Sequence, residues 1–323
     1  MFAIIGIVVV FGAVVGGFLM EHGNIKVLLQ PAELLIIGGA GMGTVLTANP
    51  PSILKAIVAN FAAVFGNSKY DRAKYQATLK QLYDVMQKAR KKGLTDLESD
   101  VEKPEKSELF KSWDHHLRNF VCDTLRMAMM GGPTPYELDQ VMELDMEVHH
   151  HMAHLPVAAL TTVADSLPGL GIVAAVLGVV ITMGALGGPP EEMGRKVAAA
   201  LVGTFLGILL CYGVVGPLAA KMGHLAEEDG QFLHVVRVAL IAFLKGTSPL
   251  LAVEFGRRAV PGDIRPSFQD LENACKGRAA PVPEPGKAAP DGKKAASQAG
   301  KAPADGKKAA PEAAKPAAEA KKA

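Results

Sequence analysis

Four apolar runs divide this chain: Phe2–Met20, Leu34–Ala48, Leu160–Leu186 and Val197–Leu218. About 20 apolar residues at 1.5 Å rise cross roughly 30 Å of hydrocarbon, so the runs read as transmembrane helices. The second is short and glycine-rich, which a span tolerates when protein surrounds it. Small residues recur four apart at Gly12 and Gly16, Gly39 and Gly43, Gly171 and Ala175, Ala174 and Gly178, and Gly203 and Gly207. That spacing lets helix backbones approach closely in lipid. A lone lipid anchor needs none of it, so the pattern predicts a bundle.

The pattern between and after these runs is different. In 49–155, Leu79, Leu82, Val85, Met86 and Ala89 repeat at helical spacing and predict an amphipathic helix. Gly93 and Pro104 punctuate it. A second helical stretch is expected over Ser107–Met130, broken by Gly131-Gly132-Pro133, and Thr134-x-x-Glu137 reads as the capping box of the next helix. Gly187-Gly188-Pro189-Pro190 turns the chain between the third and fourth spans. Pro217 stands at the end of the fourth. Gln231–Val253 is apolar but carries His234, Arg237 and Lys245, so it reads as an amphipathic helix outside the membrane.

The expected fold is therefore an all-α membrane protein with four transmembrane helices. Residues 1–48 hold the first two, 49–155 form an inserted helical cytoplasmic domain, 156–222 hold the third and fourth, and 223–278 form a C-terminal cytoplasmic helical segment. Residues 279–323 are Ala, Lys and Pro-rich with DGKKAA twice, at Asp291–Ala296 and Asp305–Ala310, and read as a disordered, solvated tail whose lysines could meet anionic lipid.

Composition agrees. The 323 residues are 49% hydrophobic and 20% charged, with a mean hydropathy of +0.21. A net charge of +2 with no basic face gives no reason to expect nucleic acid. Lys and Arg concentrate in 49–155 and after residue 220, while the short loops carry Lys26, Arg195 and Lys196. The positive-inside rule places both termini and the inserted domain in the cytoplasm. No Lys or Arg precedes the first run and no clean small-x-small site follows it, which argues against a signal peptide. The three cysteines, Cys122, Cys211 and Cys275, form no CxxC pair.

Candidate chemistry is sparse. No nucleophile and base converge in the pattern, and no cofactor or metal is assigned. His149, His150, His151 and His154 cluster beside Glu147, and His150 and His154 share a helical face. Such pairs, like Glu147 with His151, can bind a metal, but a run of this kind before a span reads first as polar flanking. Asp165, just before Ser166-Leu167-Pro168, is a functional candidate as a membrane carboxylate, with helix capping at the cytoplasmic boundary as the alternative. A chain that moves ions with so few intramembrane charges would need a partner to supply a carrier.

Five segments carry a resemblance: Gln30-Pro31-Ala32 with LLIIGGA; RKKGLTDLESDVEKPEKSELF; ADSLPGLGIVAAVLGV; LVGTFLGILLCYGVVGPLA; and AVEFGRR followed by RPSFQDLE. In this order they resemble the flagellar motor stators of the MotA/TolQ/ExbB proton-channel family, over roughly residues 1–273. The resemblance implies a homopentamer in the bacterial inner membrane around a MotB-type partner. That partner is a single-span, peptidoglycan-anchored protein whose transmembrane aspartate carries the proton. It implies that Pro168 and Pro217 lie beside that aspartate, and that Ala175 and Thr204 face the ion path. Sodium-driven relatives tend to carry Thr at both positions, so Ala175 points to protons. It also implies that Arg90 and Glu98 meet charges of the rotor protein FliG. The rival reading, a TolQ/ExbB-type energiser of outer-membrane transport, usually has three spans and fits less well.

Overall fold

The structure, a computed structural model, describes residues 2–66, 68–184 and 187–277. The expected disordered tail and the end of the third apolar run lie outside them. Every regular element among the described residues is helical.

Helix α1 (Phe2–Met20) is uncharged on all sides and buries none of its residues. Four residues, α2 (Ile25–Leu28), break the following loop, with the Asn24 side chain accepting the Lys26 N–H. Helix α3 (Pro31–Ala48) starts three residues before the expected Leu34, because Pro31 at its first turn is already set for helical φ. Helix α4 (Pro51–Val64) follows.

Helix α5 (Arg72–Lys92) is capped by Asp71 and buries the expected face: Leu79, Leu82, Val85, Met86 and Ala89. Gly93 ends it at φ 91°, a left-handed conformation that only glycine adopts without strain. A 3₁₀ turn, Leu94–Leu97, leads into α6 (Glu98–Glu102). The helix expected from Ser107 begins only at α7 (His115–Met129), where Asp114 supplies the N-cap. Turns occupy the intervening residues, held in part by the Ser107 hydroxyl, which accepts the Leu109 N–H and donates to Asp100.

The third apolar run is the C-terminal part of a much longer rod. Helix α8 (Pro135–Met183) spans 49 residues from a complete Thr134–Glu137 capping box, with Pro156 and Pro168 inside it. At 1.5 Å per residue it is about 73 Å long, over twice a bilayer core. The fourth run behaves likewise. Helix α9 (Pro190–Leu210) passes through a π-helical turn, Cys211–Val215, into α10 (Gly216–Leu244). Pro217 therefore sits inside a continuous helical path rather than ending a span. The helix expected over Gln231–Val253 is two: α10 stops at Leu244, Gly246 turns at φ 92°, and α11 (Pro249–Ala259) begins. Helix α12 (Phe268–Lys276) closes the described chain.

Among the described residues, four helical stretches are long and apolar enough to cross a membrane. Their outer faces expose large apolar residues, among them Val8, Leu35, Val180, Ile181 and Leu201. Such surface is stable only in lipid or against another apolar chain. The largest buried core is elsewhere. It joins α5, α6, α7 and the start of α8 to α10, α11 and α12, through residues such as Leu82, Phe110, Leu125, Phe232 and Leu240. Residues before and after the third and fourth apolar runs thus share one core.

Candidate functional site

The apolar ends of α8 and α9 meet along a seam of small residues. A Cβ added to Gly207 would lie 2.5 Å from the Leu167 carbonyl oxygen and 2.9 Å from Gly171 Cα; one on Gly171 would lie 2.8 Å from the Gly203 carbonyl oxygen. One on Gly178 would meet Ala200 Cβ at 2.7 Å. Only glycine permits this approach. Within the chain, the pairs Gly12–Gly16 and Gly39–Gly43 have nothing within 4 Å, so the same spacing there serves no intrachain packing.

Glu33, in the first turn of α3, reaches into this seam. It is 7% exposed, and its Oε2 is buried with no hydrogen-bond partner. A Cβ on Gly203 would come within 2.6 Å of Glu33 Oε2 and 3.2 Å of Ala175 N. The structure therefore gathers Glu33, Ala175, Gly178 and Gly203 at one level, with Thr204 half-buried next along α9. A carboxylate inside an apolar bundle is costly and functional by default. The sequence reading passed over Glu33 because it began the second span at Leu34. Pro31 two residues earlier was the available start signal. Asp165 is exposed and lies in the interior of α8, so it caps no helix.

Pro168 lies seven residues before Ala175 on α8, about 10 Å at 1.5 Å per residue. A proline has no N–H, so the carbonyl of Ala164 loses its helical donor. Ala164 and Leu167 pack with Ile37, Ala174 and Cys211, and Leu210 and Val215 close over them. Cys211 and Val215 bound the π turn. Its extra residue per turn lets the Gly216 N–H reach the Cys211 carbonyl, and Pro217 follows directly. The turn bearing Pro168 and the turn leading to Pro217 are thus packed on one another. Two donorless prolines, one of them directly after a π turn, make a local weak point in otherwise regular rods. Pro217 is itself exposed and lines a groove with Ile7, Val10 and Gly213.

Arg90 and Glu98 lie outside the apolar part, on either side of the Gly93 turn. Both are exposed, and neither enters an ion pair among the described residues. Their neighbours do: Lys88 bridges Asp96 at 3.5 Å and also pairs with Asp100. Burial pushes the Asp100 carboxyl up, but hydrogen bonds from Lys88 and Ser107 outweigh it and hold the group below its ordinary value. The charge run is thus split. Lys88, Asp96 and Asp100 fasten the turn, while Arg90 and Glu98 are left to solvent.

Comparison with known proteins follows the same geometry. Residues 4–93 match the family model described as Motility protein A N-terminal, and residues 112–231 match the MotA/TolQ/ExbB proton channel family. Motility protein A of Escherichia coli K12 is 41% identical over 84% of this chain and 94% of its own length. The chain belongs to the motility protein A family. Chemotaxis protein LafT of Vibrio parahaemolyticus is 35% identical over 83% of this chain and 96% of its own length. Among solved structures, that titled C. jejuni MotAB superposes with a TM-score of 0.67 at 21% identity, covering 81% of this chain and 96% of that one. The flagellar MotAB stator complex from Bacillus subtilis gives 0.66 at 23% identity with the same coverage. These two structures share the fold of this chain. The relatives at 35% identity and above are motility and chemotaxis proteins, not outer-membrane energisers.

Proposed function

We infer that this chain is the ion-conducting stator subunit of a bacterial flagellar motor, coupling proton flow to torque on the rotor. The observation that carries the reading is mechanical. Two unbroken helical paths, α8 and α9–α10, begin in the glycine seam and end in the core that holds α5 and α6. A displacement at the prolines has a stiff route to the surface bearing Arg90 and Glu98.

In this reading the chain sits in the inner membrane with both termini and the charged helical domain in the cytoplasm. Five copies surround a MotB-type partner, whose single-span aspartate supplies the carrier. A proton crossing 100 mV releases about 2.3 kcal/mol per charge. Protonation of the partner's aspartate changes its contacts with the Pro168 and Pro217 turns, where missing hydrogen bonds make two arrangements close in energy. The rods move, and exposed Arg90 and Glu98 push on charges of FliG. Charge pairs in solvent steer and release readily, which suits a repeated step. Glu33 adds a carboxylate of this chain's own beside Ala175. Ala175 offers no oxygen to replace sodium's hydration shell, which favours protons.

Swimming of cells carrying Pro168→Ala tests the coupling. Immotile cells with wild-type levels of membrane-inserted protein are expected; normal swimming would remove Pro168 from the mechanism.

A further inference from the structure

The histidine run acquires a partner that its own sequence neighbourhood does not contain. His150 and His154 stand one turn apart on α8, with ring centroids 4.3 Å apart. Glu147, the acid beside them in sequence, is exposed and outside the cluster. Across the helix interface, Glu227 of α10 brings Oε1 to 3.2 Å from His150 Nε2 and 3.3 Å from His154 Nε2. The three ligand atoms all lie within 4.8 Å of one another. His154 Nε2 is shielded from solvent and makes no hydrogen bond.

We propose that His150, His154 and Glu227 form a binding site for a divalent first-row transition metal of the zinc class, clamping α8 to α10. Ligands 2.0–2.2 Å from a tetrahedral ion lie about 3.4 Å from one another. Both histidine-to-glutamate edges are already near that separation, and only the edge between the two imidazoles has to close. Two imidazoles and one carboxylate select zinc, copper, nickel or cobalt; magnesium and calcium require oxygen sets. Three protein ligands leave the fourth position to water.

Of the neighbouring histidines, His149 is engaged elsewhere. His149 Nε2 is 2.5 Å from Asp229 Oδ2, its ring stacks on His116 at 3.7 Å, and the Tyr70 hydroxyl also donates to Asp229. The side chains of His150, His154 and Glu227 remain 45%, 34% and 62% exposed. The site therefore opens to solution on the His150 and Glu227 side, with the shielded His154 Nε2 at its inner end. The clamp joins the two rods about 25 Å along α8 from Gly171, at 1.5 Å per residue, where Gly230 of α10 lies against the His150 ring. A bound ion resists their sliding. The binding claim stands apart from the stator reading and is tested without motility.

The test is zinc titration of the full-length chain, purified from membranes through a tag without histidines, against a chromophoric chelator. One tight ion per chain is expected, with excess magnesium failing to displace it. His150→Ala, His154→Ala and Glu227→Gln should each weaken binding about 10-fold or more, as loss of a ligand weakens a site at least as much as loss of its supporting shell. Exposed His115→Ala should change nothing. Zinc should raise the melting temperature of wild type and not of Glu227→Gln, which separates a lost site from a misfolded variant. Absence of tight zinc binding in wild type, or undiminished binding in the His150→Ala/His154→Ala double variant, would overturn the site.

Discussion

Gly207→Ala is the sharpest probe of the α8–α9 seam. The added methyl lies 2.5 Å from the Leu167 carbonyl oxygen, 2.9 Å from Gly171 Cα and 3.2 Å from Gly171 N. All three are backbone atoms, so no rotamer change relieves the clash. Restoring an ordinary separation of about 3.5 Å requires the helices to part by about 1 Å. Overpacking of this kind costs about 1–3 kcal/mol, a factor of roughly ten for each 1.4 kcal/mol. The parted seam includes the residue directly before Pro168, so coupling suffers along with stability. The comparison is Gly194→Ala, near the start of the same helix, where nothing lies within 4 Å. There alanine gains up to about 1 kcal/mol of helix propensity over glycine. Thermal melting of the purified proteins and swimming speed at matched expression are the assays. Gly207→Ala should melt lower and swim poorly, while Gly194→Ala matches or exceeds wild type in stability. Equal melting and swimming for the two variants would refute the close-packed seam.

Three further outcomes follow from the structure. Glu33→Gln, which keeps the shape but removes the charge, should leave protein levels intact and slow swimming; unchanged speed across a range of protonophore concentrations would reduce Glu33 to packing. Arg90→Glu should abolish swimming without changing the melting temperature, whereas Lys88→Ala, which loses its pairs with Asp96 and Asp100, should lower stability by about 1 kcal/mol; the reverse pattern would show the charges to be wrongly divided. Glu254 accepts from Arg257 at 2.6 and 2.7 Å and from Arg258 at 3.1 Å, and the Arg257 guanidinium holds its carboxyl below the ordinary value. Its folded-state pKa is depressed, so its contribution is full above the unfolded value of about 4.3 and fades as pH falls through the lower folded value. Melting of Glu254→Gln should therefore lie below wild type at pH 7, and the gap should narrow as pH falls below the unfolded value; a constant gap would exclude the linkage.

The local features were legible because local chemistry makes them. The four apolar runs, the Thr134–Glu137 cap, the Gly93 turn and the buried face of α5 follow from hydropathy, capping and backbone freedom within a few residues. The resemblance over residues 1–273 pointed to the same family that the comparisons show. Other features depended on which helix lies against which. Spacing could not tell Gly203–Gly207, which packs on backbone, from Gly12–Gly16, which packs on nothing in this chain. It could not place Glu33 inside the bundle, since a carboxylate one residue before an apolar run reads as its flank. It ended the fourth span at Pro217, where a π turn instead accommodates the proline and carries the helix on. It paired the histidines with Glu147, whereas the fold supplies Glu227 from 73 residues beyond His154. Periodicity fixes the face a helix buries; which side chains meet across that face is set by packing, and packing has no local signature in the chain.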